Sequence, residues 1–161
     1  MKLHLGYLPG CIGRIAELHG SYYARTVGFG ASFEAKVATE LSAFCLAYQE
    51  GRDGLWLATD GQRVHGSIAI DGSKAAESGG HLRWFIASDE VRGTGVGSKL
   101  LGAAMDFCQA QAQPYRKVYL WTFDELHAAR RLYEKHGFTL TRTQRGCQWG
   151  KEVNEQLFTR P

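Results

Sequence analysis

Apolar and polar positions along the 161-residue chain alternate with two different periods, and the switches between them mark out its elements. Ile12, Ile15, Ala16, Leu18 and Tyr22 recur at three- and four-residue steps, which predicts a helix over 10–26. After a Gly28-Phe29-Gly30 break, Phe33, Val37, Leu41, Phe44, Cys45 and Tyr48 repeat that spacing and predict a second helix over 32–49. Leu55 to Ala58 and Val64 to Ile70 are strand-like runs flanking Asp60-Gly61, a good hairpin signal. His81 to Ala87 reads as another strand. Tyr115 to Phe123, rich in aromatic and branched residues, reads as a strand buried on both faces. Between these two lies a helix-like run from Val96 to Gln111, and after them a helix from Glu125 to His136, with Asp124 as its N-cap and Gly137 closing it. A short first strand over 2–8 and a final pair, Leu140 to Arg145 and Val153 to Thr159, complete the set; Asp71 to Gly80, small and polar, is the most flexible connection. The sum is one α+β domain over 1–161, a mixed sheet with helices on both sides.

One segment carries chemistry of its own. Arg92-Gly93-Thr94-Gly95-Val96-Gly97-Ser98 joins a predicted strand to a predicted helix. Glycines let a ligand approach the backbone, the first N–H groups of a helix lack internal partners, and Arg92 adds positive charge, so the turn is built to hold phosphate. The spacing fits neither a P-loop nor a dinucleotide fingerprint: no Gly-Lys-Ser/Thr frame surrounds Lys99, and Gly93, Gly95 and Gly97 are one residue short of the second pattern.

Arg92-x-x-Gly95-x-Gly97 resembles motif A of the GNAT N-acetyltransferase superfamily. Downstream, Ala129-x-x-x-Tyr133-x-x-x-Gly137-Phe138 resembles the ending of the same superfamily. Leu82-Arg83-Trp84-Phe85, Leu120 to Leu126 and Leu132-Tyr133 look most like the acetyltransferase half of bacterial fusions with MarR-type regulators. The resemblance spans most of the chain. It implies a mostly antiparallel central sheet, acetyl-CoA as cosubstrate and a homodimer through the final strands. Position by position it implies that Phe85, Ile86 and Ala87 bond the pantetheine arm. Arg92, Gly93, Thr94, Gly95, Val96, Gly97 and Ser98 would face the pyrophosphate, and Tyr133 would be the general acid. Leu126 stands where many relatives carry asparagine.

The chemistry of a thioester is consistent with that role for Tyr133. A thiol has a pKa of about 8.5 and a tyrosine about 10, so a neutral tyrosine protonates a departing thiolate at neutral pH. The general base is open: the strand 81–87 has no carboxylate, which leaves His81, Glu34, Asp124, His127 or a bound water. The resemblance places the acceptor lid at the break between the first two helices, where Tyr22, Tyr23, Phe29 and Phe33 cluster, with Trp84, Trp121 and Trp149 as walls. Arg83 is then a partner for an acceptor carboxylate, as in an amino acid. The expected acceptor is a small-molecule primary amine, with a protein amine as the alternative.

Composition limits the rivals. Nineteen basic against sixteen acidic side chains give a net charge of only +3 without a basic stripe, which argues against nucleic acid. No apolar run approaches membrane-spanning length and the first residues are no secretory signal, so a cytoplasmic protein without membrane contact is expected. Cys11, Cys45, Cys108 and Cys147 form no Cys-x-x-Cys pair and sit in no Cys/His/Asp frame, which disfavours a cysteine nucleophile and a disulfide framework. The histidines include no His-x-x-x-His pair, so no metal is expected. A noncatalytic acyl-CoA sensor is the remaining alternative to an enzyme.

Overall fold

The structure is a computed structural model that describes residues 1–111 and 115–161. In chain order the elements are β1 (Lys2–Leu5), α1 (Cys11–Val27), α2 (Ala31–Leu46), β2 (Gly54–Thr59), β3 (Val64–Asp71), α3 (Ala75–Ser78), β4 (Gly80–Ala87), α4 (Val96–Gln109), β5 (Val118–Phe123), α5 (His127–Lys135), β6 (Thr139–Gly146) and β7 (Val153–Arg160). The strands form one seven-stranded sheet in the order β1-β2-β3-β4-β5-β7-β6. Every neighbouring pair is antiparallel except β4 and β5. This is the α+β arrangement expected from the periodicity.

Two apolar clusters, one on each face of the sheet, hold the helices to it. Leu100, Leu101, Ala104 and Met105 of α4 and Tyr133 of α5 pack with Ile68, Ile70, Leu82, Leu120 and Phe158. On the other face Ile15 of α1 and Val37, Leu41 and Phe44 of α2 pack with Leu55, Leu57, Ala69 and Trp84. Strands β2 and β3 lie between both clusters and are buried almost throughout, which is why they read as near-continuous apolar runs.

Several boundaries differ from the sequence expectation for identifiable reasons. β5 is not buried on both faces: it starts at Val118, and its half-buried Trp121 and Thr122 line an opening in the sheet. Helix α5 starts at His127, and Asp124 does not cap it. The Asp124 carboxylate instead accepts a hydrogen bond from Asn154 Nδ2 at 2.8 Å, and its backbone N–H donates to the Asn154 carbonyl, so strand pairing has claimed the residue. Glu125 then takes a positive φ of 75°, which turns the chain into the helix. Strand β1 ends at Leu5 and α2 at Leu46, and the Asp71–Gly80 connection contains the single turn α3.

The parallel pair is barely a pair. β4 and β5 match only at Gly80↔Val118 and His81↔Tyr119, after which they separate. Opposite this gap β4 carries a bulge: Ser67 of β3 faces Ile86 and Ala69 faces Arg83, so Trp84 and Phe85 share one place in the ladder. Trp84 takes φ 49°, a left-handed conformation that is rare for a bulky residue, and Ser67 Oγ donates to the Trp84 carbonyl at 2.6 Å. The bulge resets the alternation of faces. Leu82 belongs to the α4 cluster, Arg83 and Trp84 both reach α2, and Phe85 returns to the α4 side.

Asp53, 2% exposed, holds the ends of β2 and β3 together. Its carboxylate accepts from the Gln49 N–H at 2.9 Å, the Gly72 N–H at 2.8 Å and the Arg52 guanidinium. Asp53→Ala strands the buried Gly72 N–H, the partly buried Gln49 N–H and the Arg52 guanidinium, and is expected to cost about 3 kcal/mol. At this chain length that is a fall of roughly 6–12 °C in Tm by thermal denaturation; an unchanged Tm would show that water replaces the carboxylate.

Candidate active site

The turn after β4 is shaped by backbone angles. A single 3-10 turn, Asp89–Val91, leads into Gly93 with φ 77° and Gly95 with φ 86°, both left-handed. A Cβ at either position would meet nothing within 4 Å, so these glycines are required by conformation, and the space above them is open. The third glycine has a different reason: a Cβ at Gly97 would come within 3.2 Å of Leu132, so its smallness lets α4 lie close to α5.

The first bond of the α4 ladder runs from the Lys99 N–H to the Gly95 carbonyl at 3.1 Å. The N–H groups of Val96, Gly97 and Ser98 are therefore left without intrahelical acceptors. No acidic residue occupies this first turn. Beside it, Arg92 and Arg25 share the Asp89 carboxylate at 2.8 Å each, and the Arg92 guanidinium lies 4.1 Å over the Tyr22 ring. The two arginines hold Asp89 below the usual carboxylate range. Amides without partners, a helix N-terminus and an excess of one positive charge fit a pyrophosphate.

The gap between β4 and β5 opens into a cavity of about 250 Å³, lined on the β4 side by His81 to Phe85. Beyond His81 the β5-facing edge of β4, including Phe85, Ile86 and Ala87, has no strand partner, so its backbone is available to an extended, amide-containing arm. Tyr133 reaches the cavity from α5, wedged among the rings of Phe85, Phe158 and Phe138 at 5.9, 5.9 and 6.0 Å. Burial, reinforced by the nearby Tyr23, pushes its hydroxyl well above the ordinary tyrosine range, so it holds its proton at neutral pH. Among the described residues that hydroxyl has no hydrogen-bond partner.

The side of the cavity away from α5 is roofed by α1 and α2. Tyr23, Phe33, Trp84, Trp121, Phe123 and Trp149 give it an aromatic lining. At its mouth Glu40 is bound by both Lys36, at 2.6 Å, and Arg83, whose guanidinium also lies 4.2 Å over the Trp84 ring. Burial alone would raise the Glu40 carboxyl, but the two cations outweigh it and hold it below its ordinary value. Two cations against one anion leave this mouth one positive charge in excess.

Of the residues singled out from the sequence, Phe33, Arg83, Trp84, Phe85, Trp121 and Tyr133 meet in this cavity, and Arg92 to Ser98 form the adjoining turn. Phe29 does not line it; it packs behind, against Phe33 at 4.8 Å and Phe123 at 5.3 Å. Arg83 is already engaged by Glu40, a pairing that the sequence did not disclose. Among the base candidates only His81 lines the cavity. Its ring stacks on Tyr119 at 4.5 Å, and burial together with the Arg83 charge lowers it to about 4. Glu34 and His127 are exposed, and Asp124 is tied to Asn154. Sequence reasoning missed His19, Lys36, Glu40 and Gln148. Lys36 and Glu40 stand four apart and read as an ordinary surface pair on a helix, and His19 as one more core position.

The four cysteines are free, and burial pushes the thiols of Cys45 and Cys108 up to about 11 and 12. A thiol held that way is a poor nucleophile. Among the described residues no cluster of His, Cys, Asp or Glu could hold a metal, and no helix is long and apolar enough to cross a membrane.

A sheet parted between two parallel strands, with an anion-binding turn at one end and a protonated tyrosine inside, is the layout of a coenzyme-A-dependent acyltransferase. The chain belongs to the acetyltransferase (GNAT) family, whose model matches residues 15–138, and members of that family generally use acetyl-CoA. No curated protein sequence matches the chain. Solved structures share its fold along nearly the whole length. A GNAT-family acetyltransferase from Staphylococcus aureus matches with a TM-score of 0.72 at 17% identity, covering 99% of this chain and 98% of that one. An acetyltransferase from Streptococcus agalactiae gives 0.72 at 17% identity, covering 98% and 97%. A mutant of spermidine N-acetyltransferase SpeG from Vibrio cholerae gives 0.69 at 16% identity, covering 99% and 94%.

Gly95→Glu places a carboxylate in the turn where an anion should sit, and adds the strain of a side chain at positive φ. Calorimetry is expected to show acetyl-CoA binding by the wild type and none by the variant. Gly95→Ala carries the strain without the charge and should retain binding; equal binding by the glutamate variant would place the cofactor elsewhere.

Proposed function

We propose that the protein is an N-acetyltransferase that moves the acetyl group of acetyl-CoA to the primary amine of a small molecule bearing a carboxylate, such as an amino acid or a close analogue. The observation that carries this reading is Tyr133, protonated and without a hydrogen-bond partner among the described residues, beside the gap between β4 and β5. In the proposed reaction the free amine attacks the thioester carbonyl directly while both substrates are bound. The new C–N bond forms, the C–S bond breaks with its electron pair moving to sulfur, and Tyr133 gives its proton to that sulfur. The amides of Val96, Gly97 and Ser98, with Arg92, hold the pyrophosphate, and the open β4 edge aligns the pantetheine arm so that the thioester lies near Tyr133.

The choice of acceptor rests on charge. The mouth carries Lys36 and Arg83 against a single Glu40, and both cations keep donors beyond those they give that carboxylate. A carboxylate on the acceptor completes the set, whereas a polyamine would be repelled. The aromatic lining then holds an apolar side chain.

Two outcomes test the proposal. Tyr133→Phe should lower kcat by about 10²-fold or more in an assay of released CoA thiol, with acetyl-CoA affinity unchanged. A wild type that binds acetyl-CoA but transfers to no amine would instead identify an acyl-CoA sensor. Arg83→Gln should raise KM for a carboxylate-bearing acceptor by roughly tenfold or more, the worth of one charge-assisted hydrogen bond. It should change KM little for the matching amide; a wild type that prefers spermidine would overturn the charge argument.

A further inference from the structure

The cavity holds one titratable ring whose orientation is fixed by its own helix. His19 lies in the middle of α1, 6% exposed, one turn before Tyr23, and lines the cavity with it. Its Nδ1 is 2.8 Å from the carbonyl oxygen of Ile15. A carbonyl only accepts, so Nδ1 carries the hydrogen and Nε2 carries the lone pair. Nε2 has no protein partner among the described residues. Nor is it sealed: His136 Nε2 is the one buried side-chain nitrogen or oxygen there without a hydrogen bond. The His19 lone pair therefore opens into the cavity, on the wall opposite the sheet that carries Trp84 and Phe85.

We infer that His19 is the catalytic base of the acetyl transfer, its Nε2 receiving the proton of the attacking amine. The inference rests on the acetyltransferase reading above and adds the group that reading leaves unassigned. As the C–N bond forms, nitrogen becomes positively charged and its N–H acidic, so the acceptor of that proton needs position more than strength. The proton passes to Nε2 while Tyr133 protonates sulfur, and the resulting imidazolium is stabilised by its Nδ1–H bond to Ile15. Acid and base then approach the acetyl carbon from different elements, α5 and α1. The other ring in the cavity is less suited: His81 stands beside the Arg83 cation, which opposes a second positive charge, and no hydrogen bond sets its tautomer. Burial keeps His19 unprotonated down to about pH 4, so the lone pair is free throughout the neutral range.

His19→Phe keeps the ring volume and removes both nitrogens. It is expected to lower kcat by about 10²-fold or more, leave acetyl-CoA binding by calorimetry unchanged, and be accompanied by rescue of His19→Ala with added imidazole. Wild-type kcat in His19→Phe would overturn the inference while leaving the acetyltransferase reading intact. A wild type inactive toward every amine would remove that reading and this one together. Nitrogen NMR of the wild-type protein gives a measurement that does not depend on the variants folding. It should show His19 protonated at Nδ1, with the Nε2 resonance shifting when an acceptor amine is added; protonation at Nε2, or an unshifted resonance, would overturn the assignment.

Discussion

Strands β4 and β5 touch at two register positions and then part, and the rest of the site depends on that separation. The cavity needs the gap, because a continuous sheet would fill it with cross-strand bonds. Exposed strand edges inside a protein are costly unless something pairs with them. Here the edge of β4 is left for an extended ligand, and the two faces of the sheet are held apart by independent clusters. The bulge at Trp84 belongs to the same device. By resetting the pleat it sends Arg83 and Trp84 to the side of α2 and Phe85 to the side of Tyr133. One irregular residue thus separates the side chains that reach α2 from the one that packs toward α4 and Tyr133.

Electrostatics divides the site along β4. At the turn after β4 helix α4 presents bare amides and a net positive rim, which suits phosphate. At the mouth of the cavity, Lys36 and Arg83 share Glu40 and likewise leave one positive charge in excess. Between them the titratable groups are neutral: burial holds Tyr133 protonated and both His19 and His81 unprotonated at neutral pH. A middle section without fixed charge allows charge to develop there during reaction, where preorganised dipoles act at low dielectric.

The elements were largely legible in the sequence because periodicity reports burial, and burial here is two-faced and regular. Helices α1, α2 and α4 and strands β2 to β4 fall within a few residues of the expected spans. The glycine turn was legible too, since left-handed angles at Gly93 and Gly95 demand glycine and leave a spacing in the chain. What failed was local competition. Asp124 has the chemistry of a cap, yet strand pairing with Asn154 took it. Phe29 had the composition of a pocket residue and packs behind the wall. Glu40, the partner of Arg83, lies forty-three residues away in the chain and is invisible to any local pattern.

The sequence by itself determined which segments are helix and strand, where a glycine turn bares a helix N-terminus and which tyrosine the last helix carries, because each is set by residues close together in the chain. Only the tertiary structure decided where the sheet opens, which faces Arg83 and Trp84 take, and that His19 turns a fixed lone pair into the opening. Those depend on register between strands and on the approach of α1 and α2 to the sheet, relations between distant residues that no local pattern encodes.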